Sequence, residues 1–220
     1  MNFDRGSPLT IVVPTVPTND PAYPRVVSAD DMLALEHVEG LASMAGWSPD
    51  RVVSQIDDDV DPSECANIVA ICSDKRNKTT ELLLSHPDVQ AMLGWRFDKI
   101  SETPERWKLV VDNDTSVESP SYQEEEELRG QSKDPARRPK NDKAILAKLP
   151  NPFGGPGKVM IIAGIRGFGT AGAAQFLRTH AKILFDKYGE ACFAAVLNVR
   201  GSNFRTPMVE LSEIDKEIPC

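Results

Sequence analysis

Three glycines between residues 167 and 172 have the spacing of a phosphate-binding turn. The segment reads GFGTAG, so Gly167, Gly169 and Gly172 form a literal G-x-G-x-x-G, placed between an apolar run and a helix-like segment. Glycines allow the backbone to approach a phosphate closely, and the free N–H groups at a helix start attract an anion. We therefore predict phosphate contacts from the three glycines and Thr170. The alternative is a tight turn that only lets the helix pack close to a sheet.

Basic side chains follow the strand-like runs of the chain. Arg76 lies in SDKRNKTT, Arg166 lies beside the glycine turn, and Arg200 ends the run FAAVLNVR. The carboxyl ends of parallel strands meet at one edge of a sheet, where ligands bind. We expect the three arginines to converge there on a small anion, with exposure to solvent as the alternative for Arg200. Thr15 and Asn19, which follow the first strand, would border the same pocket.

Asp74 and Lys75 are the candidates for catalysis. Both follow the apolar run ANIVAICS, and either side chain can do acid–base chemistry if burial shifts its pKa. The alternative is a solvated loop that leads into a helix. The motifs GxSxG, HExxH and GxxxxGK[ST] are absent from the sequence. The histidines have no metal-ligand spacing with cysteines or carboxylates, so we predict no metal site.

The elements that must position these residues alternate between strand and helix. The predicted strands are the runs 9–15, 51–56, 66–73, 159–165 and 193–200, and a further strand followed by a proline- and glycine-rich loop is predicted in KAILAKLPNPFGGPGK. The predicted helices are 28–46, 78–93 and 170–189. Two further runs around SETPE predict an antiparallel hairpin. This order is typical of a Rossmann-like α/β fold, in which a mainly parallel sheet is covered by helices.

The whole chain, residues 1–220, is predicted to be a single Rossmann-like domain. Residues 112–143 interrupt it with many charges and few large apolar side chains, so most of this segment cannot bury enough surface to order itself. We predict a flexible charged insertion there. The alternative is an interaction loop that binds a protein partner.

The charge and cysteine content limit the partners and the compartment. A net charge of −8 argues against nucleic-acid binding, which needs a basic face. The sequence shows neither a signal-peptide pattern nor a membrane-spanning apolar run. We therefore expect a cytoplasmic protein without membrane or nucleic-acid partners, and a homo-oligomer. Four scattered cysteines predict reduced, structural thiols: Cys65, Cys72, Cys192 and Cys220.

The turn GFGTAGAAQFL, with its GxGT core, resembles the phosphate-binding loop of the SLOG superfamily, which includes the lonely-guy nucleotide phosphoribohydrolases and sensor domains of bacterial defence systems. The resemblance covers residues 164–177 and implies a Rossmann-like sheet with phosphate on Gly167, Gly169, Thr170 and Gly172. Lonely-guy enzymes carry an acidic residue just after this core, within PGGxGTxxE, where this chain continues TAGAAQF. The catalytic glutamate is missing, so the resemblance implies nucleotide binding rather than hydrolysis.

The sequence therefore predicts a module that binds a nucleotide or a nucleotide-derived anion, NAD-derived ligands included, as a sensor or regulator. Two alternatives stay open. One is an enzyme on the same site, which cleaves an N-glycosidic bond or transfers a hydride. The run after the turn ends in NVRGSN, without the acidic residue that binds a ribose hydroxyl in dehydrogenases. The other is a protein-interaction or scaffold module in which the glycine turn is purely structural.

Overall fold

The computed structural model describes residues 3–111, 115–127, 141–201 and 207–218. Its strands are β1 (Leu9–Val13), β2 (Val16–Pro17), β3 (Arg25–Val26), β4 (Val52–Ile56), β5 (Asn67–Ile71), β6 (Arg96–Glu102), β7 (Glu105–Val111), β8 (Thr115–Glu118), β9 (Asn141–Pro150), β10 (Lys158–Gly164), β11 (Cys192–Gly201) and β12 (Pro207–Ile218). Its α-helices are α1 (Ala29–Met44), α2 (Lys78–Ser85), α3 (Pro87–Leu93), α4 (Ser121–Glu127), α5 (Gly167–Thr179) and α6 (Ala181–Tyr188).

The central sheet confirms the predicted mainly parallel α/β fold. Its seven strands in the described chain have the order β12-β11-β9-β10-β5-β1-β4. The pairs β4–β1, β1–β5 and β5–β10 are parallel, whereas β9 lies antiparallel between β10 and β11, and β12 is antiparallel to β11. Five of the seven strands therefore point the same way. All residues of β1 and β5 are buried, as expected for parallel strands that are covered on both faces.

Two different layers cover the two faces of this sheet. Side chains of α1, α5 and α6 pack on one face with Ile11, Val69 and Met160. On the other face, α2, α3 and the three-stranded antiparallel sheet of β6, β7 and β8 pack with Val12 and Ile68. Ile11 and Val12 are sequence neighbours but belong to opposite cores, because successive side chains of a strand point to opposite faces. The continuous apolar runs of the sequence follow from this double burial.

Parts of the segment 112–143 form strands and a helix in the structure. The predicted hairpin is present as β6 and β7, and β8 extends it by pairing with β7. The next helix, α4, buries Tyr122 in the same core as β6 and β7, and residues 141–143 begin β9. Backbone pairing and one buried ring thus order residues 115–127 despite their charge. The rest of the predicted insertion, 112–114 and 128–140, lies outside the described residues.

The cysteines differ from their prediction at one position. Cys65 and Cys72 are free, whereas Cys192 takes part in a disulfide, so the prediction of reduced thiols is wrong for this residue. Cys220 lies outside the described residues. Cys192 opens β11 opposite Ile218 of β12. The spacing of the cysteines along the chain does not reveal that β11 and β12 pair antiparallel. This pairing brings the start of β11 beside the end of β12.

We expect Gly172→Ala to destabilise the fold although alanine favours helices. A Cβ at Gly172 would overlap Cγ1 of Val199 in β11, and overpacking of this kind costs about 1–3 kcal/mol, more than the roughly 1 kcal/mol that a helical alanine gains over glycine. Gly40→Ala in α1 is the matched control, because its nearest neighbours are atoms of the flexible Arg178 side chain. Urea unfolding measures both variants, and Val199→Ala should restore stability to Gly172→Ala. Equal stabilisation by both alanines would contradict this packing.

Candidate functional site

The glycine turn of the sequence, residues 167–172, forms the first turns of α5, which follows the end of β10 after Ile165 and Arg166. The N–H of Gly164 donates to Oγ1 of Thr170 over 2.9 Å, which ties the end of the strand to the first turn of the helix. A Cβ at Gly164 would overlap the Arg166 carbonyl and the Thr170 nitrogen, so only glycine fits where strand and helix meet. Gly164, which precedes the G-x-G-x-x-G, is thus required by a close backbone approach.

An anion does sit at the start of α5, and it is a side chain of the protein itself. Oδ2 of Asp142, in β9, accepts the N–H of Arg166 over 2.8 Å and that of Gly169 over 3.0 Å. Asp142 is only 2% exposed. A Cβ at Gly169 would overlap the same Oδ2 atom. The positive end of the helix, which attracts phosphate in nucleotide-binding folds, is here neutralised by a carboxylate.

This arrangement changes the roles of the predicted phosphate contacts. Gly169 donates to Asp142, Thr170 accepts from Gly164, and Gly172 packs on Val199; all three are buried. Gly167 is half-buried and lines an open cleft beside the turn. Of the four residues assigned to phosphate, the structure therefore leaves Gly167 within reach of a ligand.

The cleft beside the turn has a volume of about 450 Å³, within the roughly 300–1,000 Å³ of small-molecule sites. Lys75 and Arg76 reach it from the loop after β5, and Arg166 reaches it from the loop after β10. These strands are parallel neighbours, so their carboxyl ends meet at one edge of the sheet. Trp107 of β7 and Tyr122 of α4 also line it. Three cationic side chains and two aromatic rings thus border one cleft.

Contacts inside the cleft hold these groups in place. Nζ of Lys75 lies 5.8 Å from the centre of the Trp107 ring and donates to the carbonyl of Ile165. The Arg166 guanidinium lies 5.6 Å from the centre of the Tyr122 ring. The Tyr122 hydroxyl accepts the backbone N–H of Trp107 over 2.8 Å, which joins α4 to the three-stranded sheet. Burial lowers the pKa of Lys75.

Arg200 does not join the other two predicted arginines. It lines a separate cavity of about 260 Å³ together with Asn141, Asp142, Lys143 and Asn198. The reason is the position of β9, which lies between β10 and β11 and moves the end of β11 one strand further from the turn. Arg76 and Arg166 do meet in the cleft, so two of the three arginines converge as predicted.

The two catalytic candidates are separated as well. Lys75 lines the cleft, whereas the Asp74 carboxylate accepts the backbone N–H groups of Lys75 and Phe97 and does not line it. Burial raises the pKa of Asp74 to about 6 against these hydrogen bonds. Thr15 is buried and Asn19 is exposed, and neither lines the cleft.

The residues of this region that sequence reasoning missed include Asp142, Trp107 and Tyr122. Asp142 and Tyr122 fall inside the segment that was expected to be an insertion. Trp107 lies in the predicted hairpin, and an alternating strand pattern does not indicate which face will border a ligand. For Tyr122 the signal was a single aromatic residue within a run of serines and glutamates.

Comparisons of the chain with protein-family models, curated proteins and solved structures give no significant match. The SLOG resemblance, the homo-oligomer and a protein partner at residues 112–143 therefore stay predictions.

Among the described residues, no three His, Cys, Asp or Glu side chains are grouped to hold a metal ion. No α-helix in the described ranges has the length and apolarity to cross a membrane.

Asp142 should make folding stability depend on pH in a way that Asp142→Asn removes. Burial raises the pKa of Asp142 to about 6, against the lowering by hydrogen bonds from the Ser119 hydroxyl and the backbone, whereas an unfolded aspartate titrates near pH 4. The folded state thus binds the proton more tightly, and this contribution to stability is full below about pH 4 and lost as pH rises through 6.

The amide introduced by Asp142→Asn retains an acceptor for the two N–H groups and does not titrate. Between pH 4 and pH 7, the stability of the Asp142→Asn protein should therefore rise relative to the unsubstituted protein by about 2–3 kcal/mol. Urea unfolding at a series of pH values measures this difference. Asp142→Ala, which leaves the two donors unpaired, should cost about 1–3 kcal/mol at neutral pH. Parallel stability curves for the Asp142→Asn variant and the parent would rule out the titration.

Proposed function

We propose that this chain binds a nucleotide or a nucleotide-derived anion in the cleft beside the glycine turn. Phosphate is held by Lys75, Arg76 and Arg166, and the base or another planar group lies against Trp107 and Tyr122. The observation that carries the proposal is the convergence of three cationic side chains and two aromatic rings in one cleft of ligand size.

Side chains, rather than the backbone of the turn, bind the phosphate in this proposal. Two N–H groups of the turn already donate to Asp142, and a second phosphate-like charge there would meet a buried carboxylate. A Cβ at Gly167 would overlap the carboxylate of Asp30, so a further acidic group borders the start of α5. The Arg166 guanidinium lies over the ring of Tyr122.

The charge distribution supports a small ligand. The chain carries a net charge of −8, so three basic groups in one cleft stand out against an acidic molecule. Glu105 and Glu125 also line the cleft, and the remaining excess of one positive charge attracts small anions. Aromatic rings bind the flat face of any base, and arginine forms paired hydrogen bonds with phosphate oxygens. A sensor or regulatory role is compatible with binding of this kind.

Ligand titrations with cleft variants test the proposal. Calorimetry against NAD, NADP, ADP-ribose, cyclic dinucleotides and nucleoside monophosphates should identify a ligand whose affinity falls about 10- to 100-fold in Arg166→Ala and in Arg76→Ala, because each removes hydrogen bonds to a charged group. Lys182→Ala, which removes a cation from an exposed pair with Asp186 on α6, should bind as the parent does. No binding across the panel, or equal loss in the control, would refute the site.

An enzyme acting on the same ligands is the second candidate, and Glu105 is the observation that favours it. This residue lines the cleft, and the indole N–H of Trp107 donates to its carboxylate over 2.8 Å and lowers its pKa. An ionised carboxylate beside a bound ribose can stabilise the positive charge that develops during N-glycosidic cleavage. Chromatography should then detect free base after incubation with NAD or nucleotides, and Glu105→Gln should abolish its release. Base release at the buffer rate would leave binding alone.

A further inference from the structure

Helix α4 brings acidic side chains to the edge of the cleft. Glu125 forms an ion pair with Arg166, with Oε1 2.5 Å from Nη1, and Glu126 pairs with Arg106. Arg166 lines the cleft, whereas Arg106 is not among its lining residues. The Glu125 carboxylate is therefore paired with Arg166, a cation that the proposed ligand needs.

Tyr122 also anchors α4 through contacts outside this ion pair. Its side chain is 4% exposed, its ring lies 5.3 Å from the Arg106 guanidinium, and its hydroxyl accepts the Trp107 N–H. The Glu125 side chain, by contrast, is 38% exposed. Glu125 can therefore leave Arg166 by a change of side-chain rotamer while the ring keeps α4 in place.

The charges that line the cleft are nearly balanced when Glu125 is paired. Three cations, Lys75, Arg76 and Arg166, stand against two carboxylates, Glu105 and Glu125. A difference of one positive charge results. When Glu125 leaves, three cations face the Glu105 carboxylate alone, and the difference becomes two. A dianion would neutralise this state, whereas a monoanion would only replace one single charge by another.

We infer that Glu125 is an internal counter-ion of the cleft and that the ligand is a dianionic phosphate monoester, which takes the place of the Glu125 carboxylate on Arg166. The inference rests on the proposed function and narrows it to nucleotides with a terminal phosphate. A phosphodiester carries one negative charge, as the Glu125 carboxylate does. Replacing Glu125 on Arg166 by a phosphodiester therefore adds no negative charge that could interact with Lys75 and Arg76. The cleft thus discriminates between nucleotides first by the charge of the phosphate and then by the base.

The experiment compares ligands that differ in phosphate charge. The four common nucleoside 5′-monophosphates and their 3′,5′-cyclic counterparts are titrated by calorimetry at pH 8, where the monoester is dianionic. Three proteins are used: the parent, Glu125→Gln, and Asp186→Asn. The last is matched in charge, because it removes one carboxylate from an exposed pair on α6. In the parent, at least one monophosphate should bind about tenfold more tightly than its cyclic form.

Glu125→Gln should bind that monophosphate about two- to fivefold more tightly than the parent, as expected for loss of a half-exposed competing ion pair, and Asp186→Asn should not differ. Monophosphate binding to Glu125→Gln alone would also support the inference. Equal affinities of parent and Glu125→Gln, or equal affinities for monoester and cyclic diester, would overturn it and leave the proposed function in place. No binding of any of these ligands to any of the three proteins would overturn the inference, and the proposed function falls with it if NAD, NADP, ADP-ribose and the cyclic dinucleotides also fail to bind.

Discussion

The carboxylate of Asp142 joins the antiparallel and parallel parts of this fold at the start of α5. It accepts two backbone N–H groups of the turn, and a buried carboxylate without such partners would be costly. The contact is geometrically possible because β9 runs against β10, so that its first residues lie beside the last residues of β10, with Ala144 opposite Gly164. Strand register, the beginning of α5 and the position of Arg166 at the cleft are thereby set together.

The parallel half of the sheet could be predicted because the burial of each strand is visible in its own run of residues. A strand buried on both faces must be apolar throughout, and β1, β5 and β10 show this directly in the sequence. Once these strands are recognised, the edge that gathers Lys75, Arg76 and Arg166 follows from parallel pairing alone. The sequence also predicted that β10 ends and a helix begins at a glycine-rich segment. This was possible because the close approach of strand and helix backbones leaves room only for glycine.

The remainder depends on pairings that the sequence does not encode locally. Asp142 meets the turn from a distance of 24 residues along the chain, through an antiparallel strand inserted between two parallel ones. The same insertion separates Arg200 from the other arginines. Tyr122 is buried because α4 brings its ring into the same core as side chains of β6 and β7, although its neighbours are serines and glutamates. Charge content predicts solvation of a segment on average and says little about one ring within it.

The position of Trp107 has an optical consequence. The chain contains three tryptophans, of which Trp95 is fully buried and Trp47 is 7% exposed, both within the hydrophobic cores. Trp107 alone lines the cleft, half-buried, with the ammonium of Lys75 near its ring. Changes of intrinsic fluorescence that follow occupation of the cleft therefore arise from one indole against a constant background of two. The protein thus carries an intrinsic fluorescent reporter in the cleft.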